Sequence, residues 1–217
     1  MPMQTIAVVD YGMGNLRSVA KAVEHVAGRE ARVLLSSDVK EISAADRIIF
    51  PGQGAARECM RALDRHNLRE TLHAAVANKP FLGICMGLQV LMSSSHENQG
   101  TACLDVIPGT VDYFGGIPEF DSSSFKIPHM GWNRVRQRRK HPLWKDVPDN
   151  TRFYFVHSYY VNPQDADVIA GMTEYGSKQF TSAISRGNLF AVQFHPEKSA
   201  AYGLQVLRNF VNWNGIG

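Results

Sequence analysis

The feature that most constrains the fold of this chain is the alternation of short apolar runs with helical segments in its first hundred residues. The apolar runs predict strands at residues 5–10, 32–35, 47–50 and 81–84. Apolar residues with helical spacing predict helices between them, at residues 16–27, 55–65 and 68–77. Strands separated by helices are typical of a mostly parallel sheet that helices cover on both faces.

The second half of the chain has a different texture, in which short strand-like runs are separated by turn residues. These runs lie at residues 110–114, 125–128, 133–136, 151–157, 168–172, 180–184 and 189–194. They predict an antiparallel segment added to the central sheet, and residues 202–213 predict a closing helix. Because no linker or internal repeat interrupts the pattern, we expect residues 1–217 to form a single α/β domain.

Composition excludes several classes of protein. The chain is 44% hydrophobic and 20% charged, which is ordinary for a globular protein and not for a disordered one. Its net charge of +3 is too small to indicate nucleic-acid binding, and no apolar run is long enough to span a membrane. The start of the chain resembles no secretion signal, and three cysteines offer no zinc or disulfide framework. We therefore expect a reduced, cytoplasmic protein.

One cysteine has the surroundings of a nucleophile. Cys85 lies in Gly83-Ile-Cys-Met-Gly87, between a predicted buried strand and a helical pattern that runs on to Met92. This is the strand–turn–helix elbow of hydrolases with cysteine in place of serine, and it directs the backbone N–H of Met86 at a developing oxyanion. A lone cysteine is more often a small core residue, which is our interpretation of Cys59 and Cys103.

Two other glycine-rich loops follow predicted strands. The loop Pro51-Gly-Gln-Gly54 can supply a second oxyanion N–H from the peptide between Gly52 and Gln53, although a plain turn is an equal alternative. The loop around Gly12 and Gly14 suggests a dinucleotide fingerprint, but Arg17 stands where that fingerprint requires a small residue.

A cysteine nucleophile needs a base and a group that orients the base. His195 follows an alternating run and precedes Pro196-Glu197; on an extended backbone, His195 and Glu197 would project side by side. The sequence therefore predicts a catalytic Cys85–His195–Glu197 arrangement. Of the other histidines, four read as surface residues (His25, His66, His73 and His141), and the roles of His96, His129 and His157 stay open.

These motifs resemble the class I glutamine amidotransferases. The resemblance rests on Gly-Ile-Cys85-Met-Gly with Gln89 four residues after the cysteine, and on Gln-Phe-His195-Pro-Glu-Lys. Four finer motifs narrow it to the branch of that family that delivers ammonia to a cyclase in histidine biosynthesis. They are Asp10-Tyr-Gly-Met-Gly-Asn15, Pro128-His-Met-Gly-Trp-Asn133, Tyr154-Phe-Val-His-Ser-Tyr159 and Thr173-Glu-Tyr-Gly176.

The resemblance implies a flavodoxin-like sheet and a glutaminase that uses neither a metal nor an organic cofactor. It assigns catalysis to Cys85, His195 and Glu197, and the oxyanion site to Gly52, Gln53 and Met86. It implies that Gln89 lies near the substrate amide and Glu97 near the α-amino group of glutamine. Substrate-binding backbone is expected at Gly54, Ser158 and Tyr159.

The family partner implied by the resemblance is a cyclase subunit, a separate (β/α)₈ barrel that forms a 1:1 heterodimer. Four positions match those that the family has at or near the interface: Asn15, Trp132, Tyr154 and Lys198. The basic run at residues 134–140 is interpreted as a solvated strand and turn, and the insertion Asp121-Ser-Ser-Ser124 as a surface loop. Three alternatives remain: the glutaminase of another pathway, a γ-glutamyl hydrolase, or an inactive regulatory module with the same fold.

Overall fold

A thirteen-stranded sheet organises the residues that this computed structural model describes, 3–116 and 126–217. In chain order the strands are β1 (Gln4–Val9), β2 (Ala31–Ser36), β3 (Arg47–Gly52), β4 (Phe81–Cys85), β5 (Met92–Ser95), β6 (Thr101–Ala102), β7 (Ile107–Tyr113), β8 (His129–Gln137), β9 (Thr151–His157), β10 (Tyr159–Pro163), β11 (Ile169–Tyr175), β12 (Lys178–Arg186) and β13 (Leu189–Val192). The helices are α1 (Leu16–Ala27), α2 (Val39–Ala44), α3 (Ala56–Arg65), α4 (Arg69–Asn78), α5 (Met86–Gln89) and α6 (Ala200–Asn212).

The centre of the sheet is parallel, in the order β2-β1-β3-β4-β13. The predicted parallel sheet with flanking helices is therefore confirmed. Strands β12, β10 and β7 continue the sheet in antiparallel pairs beyond β13, and β11, β8 and β9 extend it from β12. The predicted antiparallel addition from the second half is thus confirmed as well.

Apolar residues cover both faces of the sheet. Along β1, Ala7 packs with the helices α3 and α4 on one face, and Val8 packs with α1 and α6 on the other. Both residues are fully buried, which explains why the central strands read as continuous apolar runs. Cys59 and Cys103 are buried on the face that α3 and α4 cover, as predicted.

Several local predictions were wrong. The helix predicted to run to Met92 ends at Gln89, because β5 begins at Met92 and pairs with β7. Pro163, interpreted as part of a turn, ends strand β10. The surface prediction for His141 was wrong: the residue is buried because its ring packs against Phe190 and Trp213, and its Nδ1 accepts a hydrogen bond from Leu143 N at 3.1 Å.

Two predictions fall wholly or partly outside the described residues. The insertion 121–124 lies outside them, and so does the first residue of the strand predicted at 125–128; residues 126–128 precede β8 without being part of a strand. Within residues 3–116 and 126–217, no helix is long and apolar enough to span a membrane.

Candidate active site

Cys85 ends β4 in a strained backbone conformation. Its φ of 56° and ψ of −108° lie in a region that non-glycine residues rarely adopt, and such strain clusters at functional sites. The neighbouring glycines permit the turn, because a Cβ added to Gly87 would lie 1.8 Å from the backbone oxygen of Phe50. A Cβ added to Gly83 would lie 2.8 Å from the oxygen of Gly87. The predicted elbow is present, although the helix that follows has only four residues.

His195 and Glu197 form a buried pair just beyond β13. His195 Nδ1 lies 2.9 Å from Glu197 Oε1, and their side chains are 2% and 1% exposed. Because a carboxylate only accepts, Nδ1 donates and the imidazole has a fixed orientation. The extended backbone expected here was wrong: Pro196–Lys198 is a turn of 3₁₀ helix, and it still brings the two side chains together.

The environment of His195 favours its protonated form. Burial alone lowers the pKa of the imidazole, but the Cys85 sulfur and the Glu197 carboxylate outweigh that effect and raise the pKa to about 10. Nε2 is buried and makes no hydrogen bond with ordinary geometry to any other described residue. The ring can therefore hold a proton at Nε2 beside a thiolate.

A cavity of about 390 Å³ opens in front of Cys85. Its lining includes most of the predicted site residues: Gln53, Gly54, Cys85, Met86, Gln89, Glu97, Ser158, Tyr159 and His195. Gly52 and Glu197 line a small adjoining cavity together with Asn15 and Gln53. The structure thus brings the predicted catalytic, oxyanion and substrate-binding residues to one edge of the sheet. Among the described residues, no three His, Cys, Asp or Glu side chains group closely enough to hold a metal ion.

Glu97 lies in a short 3₁₀ segment between β5 and β6. Its Oε2 accepts a hydrogen bond of 2.7 Å from Ala56 N at the start of α3. Arg57 braces the same segment by donating to the backbone oxygen of Asn98. These contacts fix a carboxylate at the cavity, where it can bind an ammonium group.

Tyr11, which no sequence motif marked as a site residue, holds the end of β3, from which the loop to α3 continues. The buried Tyr11 hydroxyl donates to Pro51 O at 2.9 Å, and a Cβ added to Gly52 would lie 2.2 Å from that hydroxyl. Gly54 has φ of 90°, which favours glycine. The motif Asp10-Tyr-Gly belongs to the resemblance, and the signal that the sequence offered was a large aromatic residue directly after the predicted strand at 5–10.

A pair of buried histidines lies at the wall of the cavity, where His157 is part of the lining. His157 Nδ1 donates to Tyr159 O at 2.7 Å, so its Nε2 accepts from His129 Nδ1 at 2.9 Å. Burial lowers the pKa of His157 to about 3 and that of His129 to about 4. Both rings are therefore neutral. The sequence left the roles of these two histidines open, and in the structure they support the Tyr159 carbonyl.

The predicted interface residues lie on an exposed surface beside the site. Trp132 is 50% exposed, and its ring lies edge-on to Tyr154 with centroids 6.2 Å apart. Lys198 Nζ lies 5.9 Å from the centroid of the Tyr154 ring. Asn15 is also exposed and borders the small cavity next to Glu197. We call Trp132, Tyr154 and Lys198 the aromatic–lysine cluster.

The fold and the site together define a class of amide-hydrolysing proteins. Proteins of this class have a flavodoxin-like sheet, with a cysteine elbow and a buried His–Glu pair at its carboxyl edge. The sequence model of the class-I glutamine amidotransferases matches residues 7–213, and the chain belongs to this family. It is 57% identical to the imidazole glycerol phosphate synthase subunit HisH of Hydrogenovibrio crunogenus, over 97% of each chain. It is 52% identical to the HisH subunit of Nitrosococcus oceani, over 99% of this chain and 100% of that protein.

A solved structure shares the fold at much lower identity. The glutaminase domain of CTPS from Trypanosoma brucei, with bound acivicin, matches with a TM-score of 0.66 and 19% identity. The match covers 98% of this chain and 95% of that one. At this identity the likeness supports the fold alone.

Proposed function

We propose that the chain is the glutaminase subunit of an imidazole glycerol phosphate synthase, an enzyme of histidine biosynthesis. It hydrolyses the side-chain amide of L-glutamine to glutamate and ammonia, and passes the ammonia to a cyclase subunit. One observation carries this proposal: Cys85 on its strained elbow and His195, which is paired with Glu197, open on the same cavity. The names of the full-length relatives support the pathway.

In the first step, the Cys85 thiolate attacks the amide carbon of glutamine. The backbone N–H of Met86 and the peptide between Gly52 and Gln53 stabilise the oxyanion. His195 gives its Nε2 proton to the departing ammonia, while Glu197 holds the ring. The product is a γ-glutamyl thioester on Cys85. His195 then takes a proton from water, and the resulting hydroxide releases glutamate and restores the thiolate.

Substrate binding follows from the groups left free around the cavity. Gln89 Nε2 donates to Tyr159 O and to Gln193 Oε1, both at 3.0 Å. Both amide hydrogens of Gln89 are thereby used, which leaves its Oε1 to accept from the amide NH₂ of the substrate. The Glu97 carboxylate binds the α-amino group, and backbone groups at Gly54, Ser158 and Tyr159 hold the rest of the molecule.

The proposed partner is a (β/α)₈-barrel cyclase in a 1:1 heterodimer. It binds Asn15 and the aromatic–lysine cluster. This surface touches the catalytic group directly, because His195 N donates to Tyr154 O at 2.9 Å. We further propose that residues 1–217 form one domain, that the reaction uses no metal or organic cofactor, and that the protein is cytoplasmic.

The test is glutamine hydrolysis by the purified chain, alone and with the cyclase and its ligand. A free glutaminase would waste glutamine, so we expect low activity from the chain alone. The partner should raise turnover by on the order of 10²–10³, the effect of one oxyanion donor, mainly through kcat. Equal rates with and without the liganded cyclase would contradict the partner proposal. No hydrolysis under either condition would contradict the glutaminase assignment.

A further inference from the structure

Gln193 is a fully buried polar side chain that the mechanism above does not use. It follows β13, in which Val192 is the parallel-sheet partner of Ile84, so Gln193 lies beside Cys85. Its side-chain nitrogen lies 3.6 Å from Cys85 Sγ, within hydrogen-bond range of the large sulfur atom. A buried amide is costly unless it is hydrogen-bonded, which makes this contact informative.

The orientation of the Gln193 amide follows from one backbone carbonyl. The oxygen of Tyr159 can only accept, so the Gln89 atom that faces it at 3.0 Å is the NH₂ group. The same NH₂ group lies 3.0 Å from Gln193, whose facing atom must therefore be the acceptor Oε1. The remaining Gln193 atom, the one against Cys85, is consequently the donor Nε2.

We propose that Gln193 is a catalytic residue that donates an N–H···S hydrogen bond to Cys85 and so stabilises the negative sulfur. This donor acts at two points of the cycle. It holds the thiolate before attack, and it is in place when the C–S bond of the thioester breaks and its electron pair returns to sulfur. It transfers no proton and leaves the roles of His195 and Glu197 unchanged.

Other titratable groups also surround the sulfur and must stay constant in a test. His195 and Tyr11 interact electrostatically with Cys85. The cavity wall adds Glu97, His157 and Lys198. Gln193 carries no charge, so replacing it with an apolar side chain changes the donor without changing this set of charges.

The experiment measures alkylation of Cys85 by iodoacetamide across pH 5 to 9.5, with the modified residue quantified by peptide mass spectrometry. It needs no glutamine turnover, so although the inference rests on the proposed nucleophile, its outcome is separate from that of the proposed function. The other two thiols should not react with iodoacetamide in this pH range, because burial raises the pKa of Cys59 to about 12 and that of Cys103 to about 11. In Gln193→Met we expect the pH midpoint of alkylation to rise by about 1 unit.

Two further variants make the result decisive. Gln193→Leu also removes the donor without adding a charge, so it should also raise the midpoint, and it decides the matter if the Met variant does not fold. Ser182→Ala is the matched control: its carbonyl accepts from Gln193 N at 2.9 Å, but its buried hydroxyl makes no hydrogen bond to any described residue. Ser182→Ala should leave the midpoint unchanged. An unshifted midpoint in the folded Gln193 variants, or an equal shift in Ser182→Ala, would overturn the proposal.

Discussion

At the scale of single residues, the state of His195 depends on what lies at each of its two nitrogens. Glu197 accepts from Nδ1 and gives the ring one orientation, while Cys85 is the negative neighbour that favours a proton on the other side. With a pKa of about 10, the imidazole is charged at neutral pH when Cys85 is a thiolate. The ring can therefore supply a proton from Nε2 while Nδ1 stays bound to Glu197.

Because His195 and Glu197 have separate proposed roles, we expect mutation of each to lower the glutaminase activity by a different amount. In the proposed mechanism, His195→Ala removes the group that transfers protons, whereas Glu197→Gln removes only a negative partner and leaves the proposed oxyanion site and nucleophile intact. We expect His195→Ala to lower glutamine-dependent kcat by at least tenfold more than Glu197→Gln. Steady-state kinetics of the complex, with circular dichroism as the check on folding, measure this. Equal losses in two folded variants would assign proton transfer to the pair as a unit.

The sequence predicted the residues whose chemistry shows in a local motif. Cys85 was found through its two glycines and His195 through the adjacent Pro-Glu, although the backbone argument for the latter pair was wrong. Tyr11 and Gln193 were missed because each acts on a group far away in sequence, Pro51 and Cys85 respectively. Only the register of the parallel strands brings those partners together.

At the scale of elements, the pairing of β8 with β9 makes stability depend on pH. His129 is the register partner of His157, and both rings are neutral in the folded state. Their pKa values of about 4 and about 3 are below the unfolded value of about 6.5. As the pH falls below 6.5, the two histidines bind protons in the unfolded state but stay neutral in the folded state, so the protein loses stability in this range.

We expect the free energy of unfolding to fall by about 1.4 kcal/mol per pH unit for each such histidine below pH 6. Urea unfolding between pH 7.5 and 4.5 measures this slope. His157→Asn should be less stable at pH 7.5 but should show a shallower slope, because it lacks one of the histidines that bind a proton only in the unfolded state. His73→Gln, at an exposed position on α4, is the control with the slope of the parent chain. The same slope of unfolding free energy against pH in all three proteins would contradict the conclusion that His129 and His157 are buried and neutral.

The junction of β4 with α5 predicts a second effect at this scale. Gly87→Ala would put a methyl group 1.8 Å from the oxygen of Phe50 on β3, so the elbow cannot close without moving a central strand. We expect a loss of about 3 kcal/mol or more in urea unfolding. Gly100→Ala has open space around it and only an unfavourable φ of 102°, so about 1 kcal/mol is expected there. Similar losses in both variants would show that crowding at the elbow is not the cause.

Elements were predictable where one side chain pattern dominated. Helix α1 was predicted with its observed bounds because its apolar residues form a single stripe. Strands β5 and β10 were missed, the first because Met92–Ser95 is short and mostly serine, the second because Pro163 signals a turn. Both strands are held by pairing with β7, a long-range interaction that no local pattern reports.

At the scale of the whole molecule, the order β3-β4-β13 brings the active site together. These parallel neighbours end at the same edge of the sheet, so residues that follow them, near positions 53, 85 and 195, meet although they are far apart in sequence. The aromatic–lysine cluster lies at the same edge, beside the backbone of His195. A partner bound at the proposed interface would reach the backbone of His195 through Tyr154, whose carbonyl accepts from His195 N.

The proposed function requires that Cys85 is the nucleophile that releases ammonia from glutamine for a second subunit. The most direct measurement compares product synthesis by the complex of Cys85→Ala with the cyclase, once with glutamine and once with an ammonium salt. We predict that glutamine-dependent synthesis is lost while ammonia-dependent synthesis continues at the rate of the parent complex. Glutamine-dependent synthesis that survives in Cys85→Ala would contradict the assignment of Cys85 as the nucleophile.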